Sequence, residues 1–105
     1  MTDNPRQSRY EIVVDGEPAG FVAYDRESDD AGDIFALTHT EIDPRFEGQG
    51  LGGRLIGQAL DDLRERGARL LPYCSFVKSY LERHDEYVDL VPEDRRARFG
   101  LTSGD

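Results

Sequence analysis

Apolar residues along the first part of the chain recur with a period of two. Tyr10, Ile12 and Val14 occupy every second position before Asp15-Gly16-Glu17, and Pro18-Ala19-Gly20 then leads into Phe21-Val22-Ala23-Tyr24. Successive side chains of a strand point to opposite faces, so this pattern predicts two antiparallel strands joined by a turn. Asp25 to Gly32 is acidic and carries no apolar period, which predicts a loop. Ile34 to Ile42 resumes the extended pattern, with Phe35, Leu37 and His39 on one face and Ile34, Ala36, Thr38, Thr40 and Ile42 on the other. Asp43-Pro44 ends this third strand, because proline cannot donate to a central ladder.

Beyond Gly50 the period lengthens. Leu51, Leu55, Ala59, Leu60 and Leu63 share one helical face, Arg54, Gln58, Asp61, Asp62, Arg64 and Glu65 fill the rest, and Gly67 is placed to stop the helix. Leu70 to Cys74 reads as a short strand returning to the sheet, and Ser75 to Arg83 as a second helix with Phe76, Val77, Tyr80 and Leu81 as its apolar surface. Tyr87, Val88, Leu90 and Val91 suggest a short edge element before Pro92. The polar residues before Arg9 and the tail from Arg95 are expected to be flexible, with Phe99 and Leu101 available to dock. The fold class is therefore mixed α/β, a mainly antiparallel sheet first and helices packed against it afterwards, with the core between residues 9 and 91.

Length and charge narrow the picture. A chain of 105 residues supports one domain with a single modest core. Its net charge of −9 and isoelectric point near 4.6 argue against nonspecific binding to nucleic acid or anionic membranes, where a positive field supplies much of the attraction. Cys74 is the single cysteine, so no intramolecular disulfide forms, and with only His39 and His84 beside it no metal is expected. The polar start lacks the apolar run of a secretory signal, and no segment approaches a bilayer span, so a cytoplasmic location is expected.

Candidate chemistry concentrates in Glu47-Gly48-Gln49-Gly50-Leu51-Gly52-Gly53, where a donor-rich, flexible backbone meets the start of a helix. Such a loop approaches an anion closely and points several N–H groups at it, with the helix terminus adding a favourable field. The natural ligand is phosphate, and the competing reading is a tight strand-to-helix connection with close packing. A Rossmann site fits poorly because no early βαβ unit precedes the loop, and a P-loop fits poorly because the Lys-Ser or Lys-Thr pair is missing.

Four segments in order, Thr38-His39-Thr40-Glu41-Ile42, Phe46-Glu47-Gly48-Gln49-Gly50-Leu51-Gly52, Pro72-Tyr73-Cys74-Ser75-Phe76-Val77 and Tyr80 to Tyr87, resemble the GCN5-related N-acetyltransferases. More closely, the chain resembles their very small single-domain members, described as YjdJ-like, and the likeness runs from about Ile12 to Val91. The resemblance implies an acetyl-CoA-dependent N-acetyltransferase, with acetyl-CoA or CoA as the cofactor. The strand ending near Ile42 would align acetyl-CoA, the loop from Glu47 to Gly52, with Gly53 behind it, would cradle the pyrophosphate, and the helix from Gly50 would lie beneath. Glu47 departs from the superfamily, which usually has Arg or Gln there, and a carboxylate turned inward would repel phosphate. Arg45 and Arg54 are placed to compensate.

Acetyl transfer needs an amine without its proton, a reachable acyl carbonyl and stabilisation of the developing oxyanion. Direct transfer to an unidentified amine, small molecule or peptide, is the leading mechanism that the resemblance implies. Glu41 or His39 would accept the amine proton and Tyr80 would protonate the departing thiolate. Cys74, before a helix start that favours its thiolate, offers a covalent alternative. Each has a plainer reading: His39 as a hydrogen-bonded packing residue, Glu41 as a surface charge, Tyr80 as a packing anchor and Cys74 as an inert buried thiol. A CoA-binding protein with little catalysis and a protein-interaction module on the same scaffold are the alternatives. The protein would be a monomer or a homodimer, the latter supplying walls that a short chain lacks.

Overall fold

The computed structural model describes residues 1–101. Strands β1 (Thr2–Asn4), β2 (Arg9–Val14), β3 (Glu17–Asp29) and β4 (Gly32–Ile42) form an antiparallel meander in chain order. Helix α1 (Leu51–Arg66) then crosses over, β5 (Arg69–Pro72) returns parallel to β4, and α2 (Ser75–Arg83) follows. The sheet is mixed, with order β1-β2-β3-β4-β5.

Several expectations are corrected. The acidic stretch from Asp25 to Gly32 is not a loop, because β3 continues to Asp29 and β4 begins at Gly32. Charge pairing replaces apolar alternation there: Arg26 binds Asp33 at 2.8 Å, and Arg69 from β5 binds both Asp29 and the Gly32 carbonyl. The polar N-terminus is an edge strand, which needs no apolar face, with Thr2, Asp3 and Asn4 opposite Glu11, Tyr10 and Arg9. Asp85–Leu90 is a 3-10 helix and not an edge strand. Its polar groups are drawn to the exposed side of α1, where Tyr87 donates to Asp61 at 2.7 Å and Arg64 binds Asp89 and the Glu86 carbonyl. In the tail, 3-10 turns at Glu93–Arg95 and Ala97–Phe99 carry Phe99 and Leu101 into the core, with Phe99 edge-on to Tyr73 at 5.2 Å. The expectation for residues 102–105 lies outside the described residues.

Helix α1 places Leu51, Leu55, Ile56, Ala59, Leu60 and Leu63 against the sheet, and Gly67 closes it in the left-handed conformation. Tyr10, Val22 and Leu37 are fully buried in the same core. One irregularity in β4 decides how the site is arranged. Ala23 lies opposite His39 while Tyr24 lies opposite Leu37, so Thr38 is an extra residue, a bulge. The alternation shifts phase at that point. Thr40, opposite buried Val22, takes the face of Leu37, whereas His39 and Glu41 turn to the opposite face. His39 is therefore solvent-exposed and does not share the face of Phe35 and Leu37. Before the bulge, Ile34, Phe35, Ala36 and Leu37 are all buried, so both faces of the sheet are covered; beyond it the face away from α1 is open.

Candidate functional site

The glycine segment divides between a loop and a helix. Glu47, Gly48, Gln49 and Gly50 are exposed, and Gly50 is the N-cap of α1. Gly48 and Gly50 have φ of +82° and +72°, a region that a side chain disfavours, and open space surrounds the position a Cβ would take at each. Gly50 offers no side-chain cap, and the first intrahelical bond runs from Arg54 N–H to the Gly50 carbonyl at 3.2 Å. The N–H groups of Leu51, Gly52 and Gly53 therefore point along the helix axis without an intrahelical acceptor, which is the arrangement that binds an anion. These residues fit a phosphate-bearing group.

Gly52 has a second task. A Cβ there would lie 2.5 Å from the Phe76 ring, and one at Gly57 would lie 2.7 Å from the Tyr80 hydroxyl. The two aromatic residues of α2 thus pack directly on the backbone of α1, and Gly52 joins the glycine turn to the helix seam. Arg45 does not serve as a compensating charge for Glu47. Its guanidinium is held by Asp43 at 3.2 Å and Glu17 at 3.6 Å, and Asp43 in turn sits below the usual carboxylate range because Arg45 donates to it. Arg54 is exposed on the first turn of α1.

Parallel pairing between β4 and β5 covers only Ile34–Leu37 and Arg69–Pro72. The Cys74 N–H still donates to the Leu37 carbonyl at 2.9 Å, and then the chains part. From Thr38 to Ile42 the β5 side of β4 has no strand partner, and this free edge includes Ile42 at its far end. Cys74 is the N-cap of α2 and only partly buried, with its Sγ 3.2 Å from Thr40 Oγ1. The thiol lies at the mouth of the opening between the strands, at the start of a nine-residue helix.

His39 and Glu41 meet on the opposite face, with Nε2 to Oε2 at 3.8 Å and both side chains more than half exposed. Phe21 lies beside them, its ring 6.1 Å from that of His39. Tyr80 is in a different place. Its ring stacks on His84 at 4.2 Å and its hydroxyl rests over Gly57, with Tyr87 nearby at 6.1 Å. Burial, then the Asp61 and Glu86 charges, raises its pKa above the ordinary phenol value, so it keeps its proton. The structure thus joins Cys74 to the β4 edge and pairs His39 with Glu41, while Tyr80 belongs to the seam between α1 and α2. Among the described residues no group of three or more His, Cys, Asp or Glu is arranged to hold a metal, and no helix is long and apolar enough to cross a membrane.

Sequence reasoning missed Thr40, Phe76 and Phe21. Thr40 was hidden by the bulge, which no residue pattern in β4 announces. Phe76 and Phe21 read as ordinary apolar positions, and only the close approach of Gly52 or the open sheet face gives them a role. A family model described as GCN5-related N-acetyl-transferase matches residues 9–90. No curated protein matches the chain.

Proposed function

The chain belongs to the GCN5-related N-acetyltransferase family, and on that premise we propose that it transfers the acetyl group of acetyl-CoA directly to an amine. One observation carries the reading: the free edge of β4 beyond Leu37 opens beside a helix terminus whose first N–H groups have no partner within the helix. The family typically binds acetyl-CoA, and the donor set here suits it. The N–H groups of Leu51, Gly52 and Gly53, reached across Gly48 and Gly50, would hold the pyrophosphate. Alternate N–H and C=O groups of Thr38–Ile42 would pair with the extended amide arm, as a strand pairs with a sheet edge.

Bound acetyl-CoA supplies a thioester carbonyl to which an unprotonated amine adds, the C–N bond forming and the C–S bond breaking as the amine proton leaves. Backbone N–H groups on the β4 edge polarise that carbonyl. Glu41, with His39 beside it, receives the amine proton directly or through water. Tyr80 holds its proton but packs over Gly57, so thiolate protonation falls to solvent or to the Cys74 and Thr40 pair. Cys74 lies close enough to the edge to serve a covalent route, yet direct transfer needs no thiol nucleophile.

A second reading, CoA binding with little catalysis, is favoured by one feature. Glu47 stands exposed beside the loop with no cationic side chain bound to it among the described residues. Calorimetric titration with CoA, followed by a CoA-release assay over an amine panel, distinguishes the readings. Saturable binding with turnover, retained in Cys74→Ala, is expected for direct transfer. Binding without turnover favours the second reading, and no saturation at millimolar CoA removes both.

A further inference from the structure

The open face of the sheet carries a groove of about 580 Å³, within the size range of small-ligand sites. Its floor includes Ala19 and Phe21, and Glu11 and Glu41 rise on either side. The register explains this arrangement: Glu11 is opposite Phe21, and Phe21 is opposite Glu41, so one aromatic ring stands between two carboxylates on neighbouring strands. On the Glu11 side a cation is already seated. The Arg9 guanidinium lies 4.5 Å over the Phe21 ring and its Nε donates to Glu11 at 2.7 Å. On the other side Glu41 has no arginine partner among the described residues, only His39 at 3.8 Å. The third groove carboxylate, Asp43, is held by Arg45.

We propose that the row Glu11, Phe21 and Glu41 selects the acetyl acceptor, capturing a small aliphatic primary amine as its ammonium ion against Phe21 and Glu41; one ammonium proton then passes to water or to Glu41, and the freed lone pair attacks the thioester. Arg9 sets the pattern on the same ring, an aromatic surface plus one carboxylate, and its own charge is neutralised by Glu11 at 2.7 Å, which leaves Glu41, without an arginine partner among the described residues, as the carboxylate for a second cation. The apolar floor takes a short carbon stem. An acceptor bearing a carboxylate meets Glu41 and the net charge of −9, and a neutral arylamine gains nothing from either. Position supports the same assignment. Glu41 adjoins Thr40, whose hydroxyl reaches Cys74 on the other face, so a cation at Glu41 is one strand thickness from the open β4 edge.

This inference rests on the acetyl-transfer reading, and two readouts keep the two apart. With the full chain and acetyl-CoA, propylamine, aniline, β-alanine and a blocked lysine peptide are compared by CoA release. Propylamine is expected to have the highest kcat/KM. Phe21→Leu is expected to raise its KM a few-fold with kcat retained, and Glu41→Gln, which also removes the proton acceptor, to raise KM a few-fold and lower kcat, while CoA affinity by calorimetry stays the same in both. Unchanged KM in both variants, or preference for aniline, β-alanine or the peptide, overturns the proposal. If no amine turns over, the transfer reading fails by itself, and NMR titration with propylammonium chloride decides the groove. Shifts centred on Phe21 and Glu41 and lost in Glu41→Gln uphold the cation site; their absence rejects it.

Discussion

The buried tyrosines link single residues to the stability of the sheet. Tyr24 donates to Asp3 at 2.6 Å and Tyr10 donates to Asp62 at 2.6 Å, which ties β3 to the edge strand and β2 to α1. Burial and then the Asp3 hydrogen bond push Tyr24 from 10.0 up to about 12, and burial with Asp62 raises Tyr10 in the same direction. A folded-state pKa above the unfolded one means that the stabilisation is full below pH 10 and is lost as pH rises toward 12. The urea midpoint should therefore be level up to about pH 10 and fall above it, less steeply in Tyr24→Phe. A midpoint independent of pH across that window would contradict the coupling. At the same scale, the residue types of the site were legible in the sequence but their directions were not. His39, Glu41 and Cys74 were identifiable as chemistry-bearing groups, yet one extra residue at Thr38 turns His39 outward and brings Thr40 to Cys74.

Between elements, the seam of α1 and α2 depends on missing side chains. Phe76 seats on Gly52 and Tyr80 on Gly57, which lets the helices approach closely and fixes where α2 begins, with Cys74 as its cap. In Gly52→Ala the new methyl would meet the Phe76 ring at 2.5 Å. The expected cost is about 1–3 kcal/mol, from overpacking against a ring that has to move. Adding Phe76→Ala should recover part of that loss, so that the double variant is more stable than the sum of the singles predicts; strict additivity in denaturant unfolding would count against the seam. Helix periods were readable because α1 and α2 each bury one face, and β5 was readable as a short apolar run buried on both faces. The β3 and β4 extension was not readable, because arginine–carboxylate pairs hold it together and these leave no apolar period.

For the molecule as a whole, a net charge of −9 surrounds an open sheet face whose free groove carboxylate is Glu41. Long-range attraction of a cationic acceptor should weaken as salt screens it over a Debye length of about 8–10 Å at ordinary ionic strengths. If the acceptor is an ammonium ion, kcat/KM should fall several-fold from low to high ionic strength, mostly through KM. A rate insensitive to salt would place the acceptor outside this field. The exposed face follows from the direct β2–β3 turn at Asp15-Gly16, which inserts no helix between those strands to cover it.

The sequence by itself determined most of the local elements and the glycine turn that opens α1, since apolar period, capping glycine and strand-ending proline act over a few neighbouring residues. It also carried the family likeness, because the glycine segment and the Cys74 segment recur in a fixed order. Tertiary structure alone decided which groups meet. The parting of β4 from β5 after Leu37, the phase shift at Thr38 and the Phe76 contact on Gly52 depend on residues far apart in the chain. Contacts of that kind are set by register and helix approach, which no local pattern encodes.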